Sequence, residues 1–217
     1  MYSVHNLNFC KALIKKGVKL NLRHSIYGTA AHMAADYSEF ESLKVLIKAG
    51  ANINLKNSFG ENPLVSCIIN EPRIKIIKLL LKTIDINSVD NKGCSILHTM
   101  SYYKADVNKD YIQQVVDLEG LNLDIQNYLG RTALHLAVIK QNFFLTNYLL
   151  EKGADYRLKD LTGWTPLMYA INNNSLEEVK KLIEMEDKET LNNLFDYFSK
   201  KEEVEFKTLQ ILTEYLV

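Results

Sequence analysis

Five histidines and three cysteines are the side chains of this 217-residue chain best suited to hold a metal or begin nucleophilic chemistry. His32, His98 and His135 each stand fourth in a short recurring stretch, TAAH, SILH and TALH. A structural zinc needs about four ligands converging on one point. Copies of one motif in stacked helices lie about 10 Å apart, a normal packing distance, so they cannot share an ion. Cys94 and His98 are four residues apart, but Cys94 precedes the helix start and need not share a face with His98. No CxxC, HExxH, GxSxG, glycine-rich phosphate loop or calcium loop occurs. The carboxylate pairs Glu177-Glu178 and Glu202-Glu203 read as solvated helix faces. No catalytic residue, metal site or cofactor is therefore expected, and the chain is expected not to be an enzyme.

The elements that position these residues repeat. The openings TAAH (from Thr29), NPLV (Asn62), SILH (Ser95), TALH (Thr132) and TPLM (Thr165) follow one another at intervals of 33, 33, 37 and 33 residues. Each begins with Thr, Asn or Ser, residues that cap a helix by accepting a hydrogen bond from an orphan amide. Pro63 and Pro166 follow directly, where a missing N–H costs nothing. Gly60, Gly93, Gly130 and Gly163 stand two residues ahead of the cap, as a tight turn requires, while Tyr27 takes that place in the first unit. A second helix then shows an apolar stripe, for example Leu145, Leu149 and Leu150, or Val179, Leu182 and Ile183. Gly17, Gly50, Gly120 and Gly153 are its expected left-handed caps, with Thr83 as the exception.

A period of about 33 residues with these features resembles the ankyrin-repeat family, most clearly over Gly130–Asp160. The resemblance implies an all-α solenoid of stacked helix-turn-helix units with projecting hairpins. No unit can bury both helix faces alone, so stacking must create the core. One domain over 1–217 is expected: a half-repeat cap at 1–23, repeats at 24–56, 57–89, 90–126, 127–159 and 160–186, and a degenerate cap at 187–217. In that cap, Leu191/Leu194/Phe195/Phe198 and Phe206/Leu209/Leu212/Leu216 form two helical stripes. The start in mid-unit reads as a native cap or a fragment boundary. Four extra residues between about Tyr102 and Tyr111 lengthen a helix or swell a loop, by functional insertion or by drift. The family's histidine at the fourth motif position orders its local turns, which gives His32, His98 and His135 one structural role.

Composition narrows the partners. Lys plus Arg (26) equals Asp plus Glu (26), so the chain lacks the positive field that draws nucleic acid or anionic membranes. No apolar run approaches the roughly 20 residues of a membrane span. Three widely spaced cysteines, Cys10, Cys67 and Cys94, do not form a disulfide framework and suggest a reducing compartment. A monomer in the cytoplasm is expected, or in a host's cytoplasm or nucleus, since the Asn/Lys/Ile/Tyr bias fits a virus, an intracellular bacterium or a protozoan.

The resemblance places the partner, another protein, at the hairpin tips and the exposed side of the first helices. Aromatic residues and Arg dominate interface hot spots. Phe59, Glu61, Tyr102, Tyr103, Tyr128, Leu129, Arg131 and Trp164 are the expected partner-binding residues; Trp164 is equally well placed to pack on its neighbour. Asn54 and Asn87, each eight residues after a leucine, match the context in which ankyrin asparagines are hydroxylated in animal cells. The expected function is a non-catalytic protein-interaction scaffold that binds its partner through the hairpin tips and the concave helix face, with a host-directed regulator or effector as one form of it. The alternatives are an inhibitor resembling the IκB family, though the acidic segments of that family are missing, and a regulatory part of a larger enzyme or channel.

Overall fold

A computed structural model describes residues 2–70, 73–102, 109–201 and 204–216, with side chains at 7–69, 73–102, 111–201 and 204–216. Among the described residues there are thirteen helices and no strand. The chain divides into two compact units, Met1–Thr99 and Met100–Val217.

The first unit holds α1 (Tyr2–Lys15), α2 (Ala30–Asp36), α3 (Phe40–Lys48), α4 (Pro63–Asn70) and α5 (Ile74–Leu80). Its helices form two layers. α2 packs on α4 in one layer, while α1, α3 and α5 follow one another in the other. The core comes from both: Ala31, Ala35, Leu64 and Ile68 from the first layer, Leu43, Leu46, Ile77 and Leu80 from the second, all at most 5% exposed. Ile47 on α3 and Leu81, just after α5, are only half-buried, while Ile76 on α5 is buried. Small residues on α2 let α4 approach closely, and the Ser66 hydroxyl donates to the Asp36 carboxylate at 2.6 Å.

α6 (Ile96–Ser101) runs through the division. The second unit continues with α7 (Lys109–Val116), α8 (Ala133–Ile139), α9 (Phe143–Glu151), α10 (Pro166–Asn172), α11 (Leu176–Ile183), α12 (Lys188–Phe198) and α13 (Phe206–Leu216). α8, α10 and α12 make one layer; α7, α9, α11 and α13 make the other. The expected caps form: Asn62 accepts from the amides of Leu64 and Val65, Thr132 from that of His135 and Thr165 from that of Met168. Of the extra residues near 102–111, 103–108 lie outside the described residues.

Two expectations are corrected. α13 buries the Phe206/Leu209/Leu212/Leu216 stripe only in part: Leu212 is buried and Leu209 and Leu216 are half-buried, but Phe206 is 81% exposed, and Val204, Thr208 and Ile211 are buried as well. The Asn174 side-chain oxygen sets this rotation, accepting from the Glu205 amide (2.8 Å) and the Thr208 hydroxyl (3.1 Å). Glu178 is not on a solvated face. It is 4% exposed on α11, at the place Leu145 holds one repeat earlier on α9. Glu177 beside it is exposed, and Glu202 and Glu203 lie outside the described residues.

Candidate functional site

The hairpins are built by one polar residue per repeat. Asn57, Asp90, Asn127 and Asp160 each use a side-chain oxygen to accept two amides, two and four residues on: Phe59 and Glu61, Lys92 and Cys94, Leu129 and Arg131, Thr162 and Trp164. Each also donates its own amide to the carbonyl four residues on, at 2.8–2.9 Å. His24 does the same work in the first hairpin, its Nδ1 accepting from the Ile26 and Tyr27 amides. These are side-chain-closed turns of the kind Asn and Asp favour. Neighbouring hairpins are then tied together. The Asn91 amide donates to the Phe59 carbonyl in the first unit, and the Leu161 amide to the Leu129 carbonyl in the second, each at 3.0 Å.

The histidines reach further than their own turns. His32 Nδ1 accepts from the Thr29 amide (3.1 Å), and Nε2 lies 3.0 Å from the Glu61 carbonyl oxygen in the next repeat. His135 repeats the arrangement with the Thr132 amide (3.2 Å) and the Trp164 carbonyl (3.0 Å). A carbonyl can only accept, so Nε2 carries the proton and Nδ1 does not. Burial, the largest influence, holds the His32 imidazole below its ordinary value of 6.5 despite the pull of the Glu61 carbonyl and Asp36. His98 takes the Ser95 amide in the same way.

The hairpins carry large apolar side chains into water. In the first unit, Phe59 is 59% exposed, and Ile26 and Tyr27 at the preceding tip are also exposed. Glu61 is half-buried, and its carboxylate accepts from the Asn57 side chain at 2.8 Å. In the second unit, Tyr128 (72%), Leu129 (56%) and Leu161 (77%) stand together on the two tied hairpins. Tyr102 is exposed at the end of α6 with the Lys140 ammonium 4.8 Å from its ring centre. Tyr103 lies outside the described residues. Leu161 is not among the partner-binding residues expected from the sequence, although it stands 33 residues after Tyr128, in the same register of the repeat.

Arg131 and Trp164 are held differently. The Arg131 guanidinium pairs with the Asp160 carboxylate at 3.2 Å, donates to the Tyr169 hydroxyl at 2.8 Å and lies over the Tyr169 ring. Trp164 is half-buried, 5.0 Å from the Tyr169 ring and 6.0 Å from Phe198, with the Lys201 ammonium over its face. Tyr169, which the sequence did not single out, joins the two and donates to Asp160 at 2.6 Å. Burial pushes the Asp160 carboxyl up, but the donors from Thr162, Tyr169 and the Trp164 amide outweigh it and hold the group well below the usual carboxylate range.

Asn54 is exposed, and its side-chain oxygen accepts from the Asp85 amide at 2.7 Å; Asn87 is half-buried in the following hairpin. Among the described residues, no group of three or more His, Cys, Asp or Glu could hold a metal ion. No helix among them is long and apolar enough to cross a membrane.

Comparison with known proteins agrees with this geometry. A family model described as ankyrin repeats (3 copies) matches residues 1–90, 70–160 and 97–194. The chain is 33% identical to the nuclear factor NF-kappa-B p105 subunit of Gallus gallus over 157 residues, 70% of this chain and 16% of that protein. It is 27% identical to the putative ankyrin repeat protein L371 of Acanthamoeba polyphaga mimivirus, over 80% of this chain and 23% of that one. An L-asparaginase of Dirofilaria immitis is 28% identical over 83% of this chain and 30% of its own length. The chain thus spans under a third of each of these relatives. The chain belongs to the ankyrin-repeat family, whose repeats in general bind other proteins.

Proposed function

We propose that this protein is a non-catalytic scaffold that binds a partner protein through its hairpin tips. One observation carries the reading: Tyr128, Leu129 and Leu161 are exposed apolar side chains on two hairpins whose backbones are locked to each other. Exposed apolar clusters mark interaction surfaces, and a surface ordered before binding loses less entropy on association. Phe59 extends the same chemistry in the first unit, with Glu61, Tyr102 and Tyr103 as further contacts. Arg131 and Trp164 contribute through the edges left open by Tyr169. The partner is met as a monomer in the cytoplasm or nucleus, and the Cys10, Cys67 and Cys94 thiols fit a reducing compartment. The similarity to viral ankyrin proteins supports a host-directed role.

The test is capture of partners from cells by the wild type and by a Tyr128→Ala/Leu129→Ala/Leu161→Ala variant. Partners recovered with the wild type should be lost at unchanged thermal stability. Undiminished capture by the variant removes the tips from the interface. A second reading, an inhibitor that masks a transcription factor, is favoured by the similarity to the p105 subunit. It requires a transcription factor among the proteins lost. We also propose hydroxylation at Asn54 and Asn87. Intact-mass analysis after expression in animal cells should show added oxygen, and its absence removes that proposal.

A further inference from the structure

In the second unit, three aromatic rings converge on one ammonium group. The Lys201 Nζ lies 4.6 Å from the ring centre of Tyr197, 5.1 Å from that of Trp164 and 5.5 Å from that of Phe198. Each distance is within the roughly 6 Å over which a ring face attracts a cation. Among the described residues, Lys44, Lys140 and Lys152 also place their ammonium groups over rings, but each faces a single ring. Around Lys201 the rings form a floor and two walls. Phe198 is fully buried, and Trp164 and Tyr197 stand at 82° and 88° to it.

The fold sets these rings in place before any ligand arrives. The Trp164 amide donates to the Asp160 carboxylate, and the Trp164 carbonyl accepts from His135 Nε2. Tyr197 and Phe198 close the last turn of α12, and the Lys201 amide returns to the Phe198 carbonyl at 3.0 Å. The present occupant fits the site imperfectly. A primary ammonium carries three N–H donors and a strong hydration shell. Among the described residues the Lys201 ammonium has no ion-pair or hydrogen-bond partner, and ring faces offer it no acceptor lone pair. Holding its N–H groups against carbon costs hydration that nothing returns. A trimethylated ammonium carries the same charge with no N–H to strand, and aromatic cages take such groups. Lys201 lies beyond the end of α12 on a flexible stem, and Tyr197 is 45% exposed, so the cage opens to solvent once Lys201 swings aside.

We propose that Trp164, Tyr197 and Phe198 form a receptor for a trimethylated ammonium group, with Lys201 as its resident plug. The inference adds a ligand chemistry to the Trp164 contact proposed above, and it rests on that reading only for the ligand being carried by a protein.

Trp164 is the sole tryptophan of the chain, so its fluorescence reports on the cage. The whole chain is titrated at constant ionic strength with a glycine-rich peptide carrying one trimethyllysine, with the same peptide unmethylated, and with choline. The trimethylated peptide should give a saturable change and bind about tenfold more tightly than the unmethylated one. Lys201→Ala removes the competitor and should tighten this binding by about fivefold, while Tyr197→Leu removes one ring face and should weaken it by about tenfold. Tyr197→Phe keeps the face and should bind as the wild type does. Lys201 and Tyr197 both reach water, so the variants should stay folded, which circular dichroism checks. Choline binding weaker than the peptide assigns the cage to a methylated lysine of a partner, and equal binding assigns it to a small molecule; either upholds the receptor. No saturable change with Lys201→Ala, equal affinity for the two peptides, or unaltered binding by Tyr197→Leu overturns it. Tyr128, Leu129 and Leu161 take no part in this titration, so the cage and the tip surface fail separately.

Discussion

At the scale of the residue, the histidines turn from candidate ligands into ties between repeats. His32→Ala would strand the buried Thr29 amide and remove the bond to Glu61, a loss of about 1–3 kcal/mol. Its depressed imidazole adds a pH signature. The unfolded chain binds the proton more readily, so the contribution of His32 is complete above 6.5 and is lost as pH falls through the lower folded value. The slope for one such group is at most about 1.4 kcal/mol per pH unit. Urea titrations from pH 8 to 4 should show a weaker decline for His32→Ala than for the wild type. Glu178 works in the opposite direction. Burial, reinforced by Glu177, raises its carboxyl pKa, so its stability contribution is full below the ordinary 4.5 and is lost as pH rises through the folded value. Glu178→Leu, copying Leu145 one repeat earlier, should gain about 1 kcal/mol at pH 7 and raise Tm by a few degrees. An unchanged or lower Tm would contradict that account. Neither effect was visible in the sequence. The histidine motif showed the local turn but not the carbonyl 29 residues away, and a Glu-Glu pair gives no sign of which member faces inward.

The element scale is where the sequence spoke most clearly. The 33-residue period, the Thr, Asn and Ser caps and the left-handed glycines describe single turns and single helices, and local chemistry alone determines them. What lies between elements was less legible. Asn174 rotates α13 partly away from its own apolar pattern, and Tyr169 gathers Arg131, Asp160 and Trp164 from two hairpins. Both depend on stacking that sequence spacing does not encode. Two glycines that look alike in sequence also differ. At Gly130 (φ +72°) an added Cβ would lie 2.7 Å from the Leu161 amide, while at Gly163 (φ +83°) it would meet nothing within 4 Å. Gly130→Ala should therefore cost about 2–3 kcal/mol, and Gly163→Ala only about 1–2 kcal/mol for the left-handed backbone. Equal losses in chemical denaturation would show that the hairpins are not tied. Leu149→Ala, emptying a fully buried site on α9, should cost about 2–5 kcal/mol by the same measurement.

At the scale of the whole molecule, the stacked repeats belong to a family that in general binds other proteins, and on the function proposed above specificity falls to a few exposed side chains. The aromatic tips were legible because the repeat register located them. Their exposure was not, since Trp164 and Arg131 share the register of surface positions yet are engaged by Tyr169. The partner's identity is absent from both, because no general code links tip residues to ligands. Amide hydrogen exchange on the purified complex with a captured partner tests the account most directly. It predicts new protection in the hairpins at 127–131 and 160–164, and none on the outward face of α9 and α11. Protection confined to α9 and α11, with both hairpins exchanging as in the free protein, would contradict it.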